Sequence, residues 1–106
     1  MTSFPVQIEF LKQHSSYAQR WLHSRPEWEE WLRLQGARKV DVVGIKALLT
    51  PCQDALASPD QDEAQFMADL RLARQRLMLW IAFRDLNGMA SLGEVTHALS
   101  HFAEEV

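Results

Sequence analysis

Apolar positions spaced by three and four residues dominate the chain, and the longest such run lies between Asp60 and Leu86. Phe66, Leu70, Ala73, Leu77 and Ile81 fall on one stripe of a helix. Ser58-Pro59-Asp60, with Glu63 three residues after Asp60, marks its start, because an acidic cap and its reciprocal partner satisfy the first free backbone N–H groups. Acids then lie in the first turn and Arg71, Arg74, Arg76 and Arg84 follow, the order a helix dipole favours. From Leu77 to Phe83 the run LMLWIAF is apolar on every side, so this part of the helix must be enclosed by other elements. The pattern predicts an all-α fold, a bundle of about five or six helices around a long central helix over residues 60–86.

The shorter segments supply the surrounding helices. Pro5 to Gln13 reads as a first helix with Val6 and Phe10 inward and Ile8 and Leu11 as further candidates. Ser15 or Ser16 caps a second, carrying Tyr17, Ala18, Trp21 and Leu22. Ser24-Arg25-Pro26-Glu27 has the spacing of a capping box with proline in the first turn, and opens a third helix to about Gln35 with Trp28, Trp31 and Leu32 on one side. Gly36 closes it in the usual C-terminal position. Val40 to Leu49 is helical by default of any two-residue alternation, although Gly44 costs about 1 kcal/mol relative to alanine. Thr50-Pro51-Cys52-Gln53 is expected to restart a separate short helix through Ala57. Asn87-Gly88 stops the central helix, and Ser91-Leu92-Gly93-Glu94 opens the last one with another capping box. There Leu92, Val95, Leu99, Phe102 and Val106 lie within about 80° of one another and are expected to pack on the central helix.

Composition narrows the class. A chain of 106 residues, 47% hydrophobic and 24% charged, is one domain's worth of globular sequence. A net charge of −3 gives no general pull towards nucleic acid or anionic membrane. The single cysteine, Cys52, excludes an internal disulfide and reads as a plain buried thiol in a reducing compartment. With no signal peptide and no long apolar run, the expectation is a cytoplasmic, soluble protein. Val106 still belongs to the last apolar stripe, and Glu104 and Glu105 stand where the dipole disfavours anions. Residues 1–106 are therefore expected to be a single helical domain from the N-terminal part of a longer chain.

The stretch from Leu70 to Leu86, LRLARQRLMLWIAFRDL, resembles a signature of the glutamine synthetase adenylyltransferase family, in which a run like L-R-x-F-R-R-R-x-M-x-R-I-A-x-R-D-L precedes a nucleotidyltransferase domain. Gly88 to Thr96, followed by Ala98-Leu99-Ser100, is similar to that family's G-x-A-x-L-x-E-V-T-x-x-L-S, and Arg25-Pro26-Glu27-Trp28 to its H/R-P-E-W. Ala73 stands where the family usually has Phe, Gln75 where a third basic residue is common, and Trp80 where Arg is common. The family's catalytic signature, a Gly-Gly segment followed by Ser-Asp-x-Asp whose aspartates hold metal ions on the nucleotide phosphates, does not occur in these residues. The resemblance implies a bifunctional parent enzyme that uses ATP and magnesium to attach AMP to a tyrosine of glutamine synthetase and removes it by phosphorolysis, responding to glutamine and the PII signal protein. This chain would be its N-terminal non-catalytic helical region, with no catalytic, cofactor-binding or metal residues of its own.

Three constellations invite sharper readings. Arg71, Arg74 and Arg76 suit phosphate chemistry, yet Arg71 and Arg74 lie about 60° apart on a helical wheel and Arg76 points elsewhere, so they form no single stripe. Solvated arginines compete with a docking role for Arg71 and Arg74 against the catalytic domain. His97 and His101 have the i, i+4 spacing of metal ligands, with Glu94 and Glu104 on the same side, but that side is opposite the apolar stripe and reads as solvent-facing. Trp21, Trp28 and Trp31 have the spacing of core anchors between the second and third helices. The alternative to a region of the adenylyltransferase is a complete small helical adaptor that binds a partner helix through an apolar groove.

Overall fold

The computed structural model describes residues 3–57 and 63–105, and they form six helices and no strand. These are α1 (Phe4–His14), α2 (Ser16–Ser24), α3 (Glu27–Gln35), α4 (Val42–Ala57), α5 (Glu63–Leu86) and α6 (Leu92–Glu105). The expected cap at Ser58-Pro59-Asp60 and the end of the last stripe at Val106 lie outside the described residues. The 24 residues of α5 span about 36 Å at 1.5 Å each. The whole body measures 48 × 29 × 20 Å.

The central helix has the predicted core face. Ala73, Leu77 and Ile81 are buried, and Phe66 and Leu70 pack against the core at its edge. The all-apolar stretch is enclosed: Leu77, Leu79, Trp80 and Phe83 are each 1% exposed or less, and only Met78 reaches out. α4 lies most closely along α5, α1 packs on both α2 and α5, and α3 bridges α2 and α5.

Helix ends explain where the segments break. The Ser15 hydroxyl accepts from the Ala18 N–H at 3.1 Å, which settles the cap of α2. Asp41 does the same for α4, its Oδ1 accepting from the Gly44 N–H at 2.9 Å. Gly88 takes φ +71°, and the Met89 and Gly88 N–H groups donate to Arg84 and Asp85 carbonyls, so α5 ends in a Schellman turn.

Several expectations are corrected. On α1 the inward residues are Ile8 and Leu11, while Val6 is 58% exposed and Phe10 38%: α1 turns the face next to Phe4 towards α5, where the Phe4 and Phe83 rings sit 5.8 Å apart. No side chain caps α3, whose N-cap position is Pro26 in helical conformation, so the Ser24/Glu27 capping box does not form. α4 is one continuous helix with Pro51 inside it, not two. Proline gives up one backbone donor there; the Thr50 hydroxyl donates to the Lys46 carbonyl at 3.1 Å, one turn back. The α6 backbone lies closer to α4 than to α5, and Glu94 and Ala98 are its buried residues.

The two glycines earlier in the chain serve close approach. Gly36 has ordinary helical angles, and a Cβ there would stand 2.6 Å from the Phe83 ring. At Gly44 a Cβ would run into the Trp80 indole, whose Nε1–H donates to the Arg38 carbonyl at 3.2 Å. The residue that weakened the helical reading of α4 is the notch that lets the core tryptophan in.

Candidate functional site

An arginine at the end of an apolar run has no water to turn to, so it must find acceptors inside the fold. Arg84 is 6% exposed and finds five. Its Nε and Nη2 donate to Glu94 Oε2 and Oε1 at 2.7 and 3.0 Å, a bidentate pair across the α5–α6 turn. Nη1 donates to the carbonyls of Ala37 at 2.8 Å and Gly36 at 3.4 Å, and Nη2 also to that of Met89 at 3.0 Å. These carbonyls end α3 and begin the turn after α5, so one guanidinium locks three elements and satisfies groups that helix ends leave open. Ser91 caps α6 as expected, accepting from the Glu94 N–H at 3.1 Å. The Glu94 carboxylate, however, turns to Arg84. Reading Glu94 as half of a capping box and as part of a solvent face missed this pair; the available signal was a lone arginine directly after LMLWIAF.

Trp21 and Trp28 sit between α2 and α3 as their spacing placed them, whereas Trp31 turns to α5. Trp21 and Trp28 stack at 5.3 Å, and Trp31 meets Trp80 edge-on at 6.0 Å. Arg76 is half-buried: its guanidinium lies 4.5 Å over the Trp31 ring, its Nε is buried with no hydrogen-bond partner, and burial lowers its pKa. The cation–π contact offsets part of that desolvation. Cys52 is buried, and burial with the nearby Asp69 charge pushes its thiol pKa up, which favours the protonated thiol.

Arg71 and Arg74 have a different setting. Both are exposed, and both edge a groove of about 540 Å³ between α5 and α6. Its apolar walls come from Met67 and Leu70 on α5 and from Leu99 and Phe102 on α6. Leu99 is 45% exposed and Met67 51%, so the predicted α6 stripe is only partly covered. No ion pair joins Arg71 or Arg74 to any described residue. Arg74 does place its charge near Tyr17, where it opposes the upward shift that burial gives the phenol.

The depression between α1 and α3 contrasts with this groove. Its carboxylates are matched: Lys12 Nζ is 3.1 Å from Glu29 and 3.8 Å from Glu9, and Arg33 pairs with Glu30. On α6, His97 and His101 stack at 6.2 Å, and His101 Nδ1 lies 3.8 Å from Glu104. Glu94 is withdrawn from them into the core, and among the described residues no three His, Cys, Asp or Glu side chains converge on a metal position. Among the same residues no helix is long and apolar enough to cross a membrane.

Comparison with known proteins agrees with the resemblance carried by Leu70–Leu86 and Gly88–Ser100. A family model described as glutamate-ammonia ligase adenylyltransferase matches residues 7–106. The bifunctional glutamine synthetase adenylyltransferase/adenylyl-removing enzyme of Ralstonia nicotianae is 33% identical over 97 residues, which is 92% of this chain and 10% of that protein. The protein of the same name from Aromatoleum aromaticum is 36% identical over 100 residues, 94% of this chain and 10% of its own length. That from Thioalkalivibrio sulfidiphilus is 52% identical over 50 residues, 47% of this chain and 5% of its own. The chain thus spans about a tenth or less of the relatives it matches. No solved structure matches it. With the family model running through all six helices, the chain belongs to the glutamate-ammonia ligase adenylyltransferase family.

Proposed function

We propose that this chain is a non-catalytic helical region of an enzyme that adenylylates and deadenylylates glutamine synthetase, and that it serves as a scaffold for the catalytic part of that enzyme. The observation that carries this reading is how its polar groups are used. The densest cluster, Arg84 with Glu94 and three carbonyls, is dry and fully paired, an arrangement suited to holding helices together and with no open position for a substrate. The described carboxylates do not converge on a metal position. In this reading ATP and magnesium are held by the rest of the parent polypeptide, and regulation by glutamine and the PII protein acts there as well. Arg71 and Arg74 are the edge that this region offers to the catalytic part.

Replacing the matched segment of the Ralstonia nicotianae relative with this chain tests the reading. The chimera should retain adenylyl transfer to glutamine synthetase and adenylyl removal from it, and the isolated chain should neither bind nor turn over ATP. Nucleotide turnover by the isolated chain, or a chimera no more active than the relative lacking the segment, would overturn it.

A further inference from the structure

On a chain of net charge −3, the α5/α6 groove has a cationic edge. Met67, Leu70, Arg71 and Arg74 follow one another at i, i+3, i+4 and i+7 along α5, and Leu99 and Phe102 stand one turn apart on α6. Side chains that repeat at one-turn spacing on both walls of a groove are a surface into which a third helix can pack, ridge into groove. Arg71 and Arg74, one turn apart and without an ion-pair partner among the described residues, match two carboxylates one turn apart on that helix. We propose that the α5/α6 groove docks an amphipathic helix of the catalytic polypeptide, apolar along the edge that meets Leu70, Leu99 and Phe102, and carrying Asp or Glu one turn apart opposite Arg71 and Arg74.

This assignment rests on the docking role given above to Arg71 and Arg74 and adds the chemistry of the docked segment. The apolar contacts supply affinity, since Met67 and Leu99 are half uncovered without an occupant. The arginines select: a basic-edged helix would set like charges against them, whereas an acidic one gains two charge-assisted contacts.

The test uses the whole 106-residue chain, isotope-labelled, and two synthetic helical peptides with the same leucine edge, one flanked by Glu at i, i+4 and the other by Lys. The Glu peptide should shift the amide signals of Leu70 to Gln75 and Leu99 to Ala103 and leave those of α1 and α3 in place. In the Arg71→Glu/Arg74→Glu variant its affinity should fall by roughly tenfold, and the Lys peptide should become the tighter ligand. Both positions are exposed, so the variant should keep its circular dichroism spectrum, and Leu99→Asp supplies an independent block of the groove. Equal affinity for the two peptides, binding untouched by the charge reversal, or no shift at all would overturn the proposal. So would concentration-dependent shifts of the same signals without peptide, which assign the groove to a second copy of the chain. None of these results bears on the scaffold reading, which stands or falls with the chimera and the ATP measurements.

Discussion

The two halves of α5 are built from one periodic pattern and end in opposite states. Around Leu77–Leu86 the helix is wrapped by its neighbours, its tryptophan seated in a glycine notch and its arginine bound to a glutamate and three carbonyls. Around Met67–Gln75 it faces α6 across a groove, with two arginines free of ion pairs among the described residues and apolar side chains half uncovered. The closed half uses its buried polar groups, the Trp80 N–H and the Arg84 guanidinium, internally, so changes there act on folding. The open half leaves its chemistry unused, so changes there should act on binding.

Breaking the closed half should have the largest effect. Glu94→Ala leaves the Arg84 guanidinium buried without its counter-charge and should cost about 3–5 kcal/mol, read as a lower urea midpoint at unchanged slope. The double change Arg84→Met/Glu94→Leu removes both charges and should recover part of that loss, the remainder reporting the Gly36, Ala37 and Met89 carbonyls that lose their donor. Next comes Gly44→Ala. The Trp80 ring is fully buried and has no room to retreat from an added methyl, so about 1–3 kcal/mol should be lost, with a change in near-ultraviolet circular dichroism from the displaced indole.

Cap removal sits lower. Ser91→Ala and Ser15→Ala should each cost about 1 kcal/mol. Hydrogen exchange should rise first in the opening turn of α6 for the former and of α2 for the latter. The smallest effect sharpens the contrast from the other side: Arg71→Glu/Arg74→Glu should change stability by no more than about 0.5 kcal/mol, since neither side chain holds the fold together. A large loss in that variant would mean that the open half is structural after all.

Much of this was legible along the chain. The three- and four-residue spacing located five of the six described helices to within a few residues, because an apolar stripe reports a helix's own faces, while α4 was read as helical only by default. Ser15 and Ser91 announced their caps, and Trp21 and Trp28 announced their contact between α2 and α3. The errors have a common origin. Val6 and Phe10 were placed inward and α4 was split at Pro51, because each was judged by its local sequence alone.

What the sequence by itself determined is the helical class, the enclosed stretch of α5 and the family pattern, all of which follow from residue order over short distances. Only the tertiary structure decided which residues ten to fifty positions apart would meet. It turned Glu94 from its cap to Arg84, made Gly44 the seat of Trp80, folded Arg76 onto Trp31, and put Arg71 and Arg74 on the rim of a groove. The physical reason is that burial, not spacing, sets the cost of a charge or the use of a glycine. A periodic pattern carries the direction in which each side chain points, and the identity of what it meets arises only when the helices pack.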